Sequence, residues 1–318
     1  MSDDAQLQAL FALSNKIFLN LMWTVVNLSA IQLIVMFIQI ASSFQSSNGA
    51  SLWKATNTPI NWMILFMVLS NVGIIIAFYE YWINSDFVVE VTTYTLVTIF
   101  SSLLQTLMMQ MSWNRGKPVI EVIWPSSVKY VRVALIAYPL LQIFQNVLYL
   151  ASYFVDPSTN ATPEWIAGNV FFYSSSGVLI IFDAFGLICY FLYLKGLIND
   201  RQTPDIGRLK IICRYGIASI ILTFCWLILL GVIDTIDWDL GNLFEQQVII
   251  TLNTIYYSLP TLYIFLQLCM KWALHNERGR SVSQRHNTIE HAKKAMTKMT
   301  SMAAGSVARA SASGIGTS

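Results

Sequence analysis

From Asn169 to Leu194 the chain reads NVFFYSSSGVLIIFDAFGLICYFLYL, an apolar run interrupted by a single carboxylate, Asp183, near its middle. A bilayer core about 30 Å thick is crossed by about 20 apolar residues at about 1.5 Å of helix rise each, so this run can span a membrane. A carboxylate at that depth costs about 2.5–3.5 kcal/mol on insertion scales, so such a group faces the inside of a bundle or a wet cavity and finds a partner. Six further stretches have the same character, and together the seven cover Ile17–Ile40, Pro59–Tyr81, Phe87–Met111, Tyr130–Phe154, Ile166–Leu194, Ile211–Ile233 and Gln246–Met270. The gaps between them hold the Gly, Pro, Asn and Ser residues that break helices.

Composition supports that reading. Hydrophobic residues make up 55% of the 318 and charged residues 11%, against about 25% charged in soluble domains. The expected fold is all-α, a seven-transmembrane helix bundle. A short segment (1–16) precedes the helical domain (17–270), and a basic tail (271–318) follows. The opening residues MSDDAQLQ lack the positive region of a cleaved signal peptide, and the apolar run after them is too long for one, so it is read as the first crossing.

Basic residues fix the expected orientation. Of 19 lysines and arginines, all but Lys16 fall in the first, third and fifth connections, within a few residues of them, or after Met270. Cytoplasmic segments carry such an excess, so the N-terminus is expected outside and the C-terminus in the cytosol. Most acidic residues fall opposite, giving an acidic outer face that would concentrate cations. In the tail, Ile289, Ala292, Met296, Met299 and Ala303 recur at helical spacing among lysines, as in a basic amphipathic helix on anionic lipid, or in a solvated segment. Asn160-Ala161-Thr162 is a glycosylation acceptor on the expected outer side.

Several chemistries lack their residues. All three histidines lie in the tail, the seventh stretch holds no lysine for a retinal Schiff base, and no phosphate loop or His-Glu-x-x-His pattern occurs. The expectation is a protein that is not an enzyme, takes no cofactor or metal, and has the lipid bilayer rather than nucleic acid as its surroundings.

What remains is polar groups at mid-depth. Asn71, Gln142, Asn146 and Asn253, with Asn27, Ser101, Ser102, Gln105, Thr223 and Ser258, lie within a few turns of the plane of Asp183. They serve either as interhelical hydrogen bonds alone or as a connected network around Asp183 that works as a switch or an ion site. On the second reading, Asp183→Ala removes function and leaves folding intact. Pro139 and Pro260 each remove a helical hydrogen bond and are candidate hinges or plain kinks.

Cys225-Trp226-Leu227 and Pro260-Thr261-Leu262-Tyr263 resemble parts of two motifs of the G-protein-coupled receptors, Cys-Trp-x-Pro in the sixth helix and Asn-Pro-x-x-Tyr in the seventh. Ile228 stands in place of the first motif's proline and Leu259 in place of the second's asparagine. Met111-Ser-Trp-Asn-Arg115 lacks the acidic-Arg-Tyr triplet, and the outer cysteine pair is absent. Ser258-Leu259-Pro260 is similar to the seventh helix of fungal pheromone receptors. The resemblance implies a receptor of the plasma membrane that binds an extracellular ligand in its outer half, moves near Trp226 and Pro260, and meets a cytoplasmic partner such as a G protein. Candidate contacts for that partner are Arg115, Lys117, Arg201, Arg208, Lys210 and Arg214, which otherwise set orientation and touch headgroups. The competing expectation is a small transporter or channel using Asp183 as a proton or cation site.

Overall fold

The computed structural model describes residues 3–45, 57–83, 86–155, 162–200, 206–235, 244–245 and 247–277. Seven helices among them are long and apolar enough to cross a membrane. They are α1 (Asp3–Gln45), α2 (Pro59–Ile83), α3 (Phe87–Ile123), α4 (Val128–Val155), α5 (Pro163–Asp200), α6 (Ile206–Thr235) and α7 (Gln247–Glu277). The chain is an integral membrane protein built as a seven-helix bundle. In a hydrocarbon setting each backbone N–H and C=O must be satisfied within the segment, which for these apolar runs leaves the helix.

Local sequence starts the helices cleanly. Thr58 and Thr162 each accept a backbone N–H, from Asn61 and Trp165, and each precedes a proline at the first helical position, where the missing N–H costs nothing. Asp86 caps α3 by accepting from Val88 and Val89. A 3-10 turn at Pro125–Ser127 separates α3 from α4.

All seven helices run beyond the sequence-based bounds at one end or both. α1 begins at Asp3, α3 continues past Met111 to Ile123, α5 reaches Asp200, α6 begins at Ile206, and α7 continues past Met270 to Glu277, into the stretch read as tail. The run Asn114-Arg115-Gly116-Lys117-Pro118 reads as a loop, yet it stays helical because Ser112, Trp113, Gly116, Val119 and Ile120 are buried against the bundle. Packing outweighs the one hydrogen bond that Pro118 removes. Pro139 and Pro260 likewise sit inside continuous helix.

Polarity is distributed inside-out. Gln32 and Gln105 are 0% exposed, while Ile136 and Ile181 are 67% and 69% exposed, as expected where lipid is the solvent and polar side chains bond between helices. In the unit 1–271, α3 packs on α2, α4 and α5, α5 also on α4 and α6, and α1 on α2. α7 closes the bundle. Gln32 and Gln39 of α1 donate to its Thr261 and Leu268 carbonyls, Asn71 and Asn61 of α2 meet Thr261 and Lys271, and Gln267 donates to Ser219 of α6. The residues from Trp272 onward form a separate unit, described only as far as Glu277.

Candidate functional site

At one end of the bundle, aromatic rings form a continuous lining. Tyr94 of α3 contacts Tyr149 and Tyr153 of α4 and Trp165 of α5 at centroid distances of 5.5–6.0 Å. On the other flank Trp226 of α6 stacks on Tyr256 of α7 at 5.6 Å, and Tyr257 meets Phe78 of α2 at 4.2 Å. Rings this large cannot all interdigitate, and a cavity of about 160 Å³ remains between α3, α4, α5, α6 and α7. Its polar lining is uncharged: Thr98, Ser101, Gln145, Asn169 and Asn253. The Tyr149 hydroxyl donates to Asn169 at 2.7 Å, and the Asn253 amide donates to its own helix at the Ile249 carbonyl. Gln145 differs from these. It is 1% exposed, it lines the cavity, and its side-chain oxygen has no hydrogen-bond donor among the described residues.

Below the cavity lies a relay of hydrogen bonds. Ser175 of α5 donates to the carbonyl of Phe172, a cavity residue, and accepts from Gln142 of α4 at 3.0 Å. The Gln142 amide and the Tyr138 hydroxyl both donate to Gln105 of α3, at 2.9 and 3.0 Å. Asn146 donates separately to Ser102.

Further along α3 and α5 is a buried ion pair. Arg115 of α3 and Asp183 of α5 approach to 4.0 Å, with side chains 10% and 5% exposed. The guanidinium also donates to Ser112 at 2.8 Å and touches the Met270 sulfur of α7, and the Tyr190 hydroxyl donates to the Arg115 carbonyl. Only one carboxylate oxygen of Asp183 is engaged. The pair borders a cavity of about 20 Å³, which holds about one water. Gly186 and Gly216 leave that space open.

The sequence-based network around Asp183 is therefore divided in the structure. Gln142 and Asn146 belong to the α3–α4–α5 relay, Asn71 bonds Thr261 and Ser29, and Asn253 and Trp226 belong to the aromatic end. Asn27 faces outward. Asp183 meets none of them, because the nearest group able to offset a buried carboxylate is a cation, and α3 supplies Arg115. Arg115, expected on the partner surface, is turned inward for the same reason. Of the other basic residues, Lys117 is half-exposed and 3.9 Å from Glu121, while Lys210 and Arg214 are exposed and Arg208 is partly buried. Arg201, Asn160 and the tail helix from Ile289 lie outside the described residues.

Gln145 is the residue that sequence reading misses. Tyr138, Gln142, Gln145, Tyr149 and Ser152 are buried along α4 at helical spacing, so the stripe that passes through Gln142 passes through Gln145 and leaves Asn146 at its edge. No family model, curated protein or solved structure matches the chain. Its architecture is that of a seven-helix membrane protein.

Proposed function

We propose that this protein is a receptor of the plasma membrane, resembling the G-protein-coupled receptors in how it works. A ligand enters the aromatic cavity from outside, and the far end of the bundle answers to a cytoplasmic partner. One observation carries the reading: α3 and α5 are the two helices that contribute to all three of the cavity, the relay and the ion pair. From Ser101 to Arg115, and from Asn169 to Asp183, the separation is about 20 Å at about 1.5 Å per residue. A molecule that shifts α3 against α5 at the cavity therefore changes the geometry of the pair. Two arrangements of one packed pair of helices are the usual material of such switches. The distribution of basic residues supports a cytoplasmic position for the ion pair, where its opening would add Arg115 to Lys117, Lys210 and Arg214 as partner contacts.

The test is nucleotide exchange on a trimeric G protein by the purified protein in nanodiscs. Asp183→Asn keeps the shape and removes the charge, so it should raise basal exchange several-fold over wild type. Exchange at the background rate for both proteins would contradict the receptor reading.

A carrier is the second reading, favoured by the free carboxylate oxygen of Asp183 beside the small cavity. It predicts proton or cation uptake into vesicles that Asp183→Asn abolishes. The weight lies with the receptor, because Arg115 already compensates the charge that a transported cation would need.

A further inference from the structure

We infer that the cavity among α3 to α7 binds a small, uncharged aromatic molecule that donates a hydrogen bond to the side-chain oxygen of Gln145. Naming this occupant rests on the receptor reading of the cavity. Size comes first: the volume of about 160 Å³ is close to the roughly 150 Å³ of an apolar protein cavity that accepts benzene. One ring, or two fused rings, is the scale of ligand that fits.

Shape and polarity narrow the class. Tyr94, Tyr149, Trp165, Phe172, Tyr256 and Tyr257 line the cavity, and such faces and edges favour a flat partner in stacked or edge-on contact. None of the described lining residues is charged. A carboxylate or ammonium on the ligand would be desolvated there without a counter-charge. Lastly, a buried amide oxygen without a donor is costly. Gln145 is held in that state at the cavity wall, and a ligand N–H or O–H would relieve it. A second amide oxygen of the lining, that of Asn169, already accepts from Tyr149.

The experiment is equilibrium dialysis of radiolabelled indole against the full chain in phosphatidylcholine nanodiscs, with empty nanodiscs as the measure of partition into lipid. Indole, indene and tryptamine then compete. Indene has the outline of indole with a methylene in place of the N–H, and tryptamine is a cation at neutral pH. The inference predicts saturable binding at one site per chain, with indene about tenfold weaker than indole and tryptamine weaker than both. In Gln145→Leu, indole and indene should bind equally. Should that variant fail to fold, the comparison in the wild type still decides. Uptake no greater than in empty nanodiscs, equal affinity for indole and indene, or tighter binding of tryptamine would each overturn the inference. Indole that binds as predicted but leaves nucleotide exchange unchanged would count against the receptor reading alone.

Discussion

The two ends of this bundle handle polarity in opposite ways. At the Arg115 and Asp183 end, full charges are buried and each is compensated by the other, with a space for about one water beside them. At the aromatic end the described residues that line the cavity are all neutral, and a cavity several times larger stays open. A buried charge tightens its surroundings, because separating the pair is expensive. Neutral groups among stiff rings do not force closure. The first end is suited to hold one arrangement of α3 and α5, and the second to be filled by something else.

The largest effect should follow from breaking the charged end. Asp183→Ala strands Arg115 in the bundle and should cost about 3–5 kcal/mol, read as a shift in detergent-driven unfolding. The double variant Arg115→Met with Asp183→Leu should recover most of it. This revises the expectation that Asp183→Ala leaves folding intact, because the carboxylate stabilises a buried cation. A loss as small as that of an exposed substitution would mean the pair is solvated.

A smaller effect should appear at the aromatic end. A Cβ at Gly168 would lie 2.9 Å from the Tyr149 ring, so Gly168→Ala overpacks the cavity wall and should cost about 1–3 kcal/mol in the same unfolding measurement. It should also weaken indole binding, since Tyr149 must move. The relay between the ends should matter least to stability. Gln142→Leu leaves Gln105 accepting from Tyr138 and Ser175 donating to Phe172, so the loss should be near the lower limit of about 0.6–2 kcal/mol for an interhelical contact in a membrane. A cost above that of Gly168→Ala would make the relay, rather than the packing of the Tyr149 ring, the main tie between α4 and α5.

The seven crossings were legible in the sequence because a bilayer admits few alternatives to a long apolar helix. Helix ends were not. Asn114 to Pro118 has the composition of a turn, and only burial of Ser112, Gly116 and Ile120 explains why α3 continues. The importance of a partner for Asp183 could be read from its depth, but not the identity of that partner. Arg115 lies among the basic residues expected to mark the cytoplasmic side, and nothing in one dimension distinguishes an inward arginine from an outward one. Gln145 was within reach, since the spacing of Tyr138, Gln142 and Tyr149 predicts it. The cavity was beyond reach, because five helices from distant parts of the chain make it.

Coupling of the two ends through α3 and α5 can be tested without a ligand. Ser101 lines the cavity and is 9% exposed, so the alkylation rate of the thiol introduced by Ser101→Cys, followed by mass spectrometry of its own peptide, reports the state of that end. Adding Asp183→Asn, some 20 Å away at about 1.5 Å per residue, should change that rate about fivefold or more, the lower range of coupling between distant sites. An unchanged rate, in a double variant with the unfolding profile of Asp183→Asn alone, would contradict the coupling.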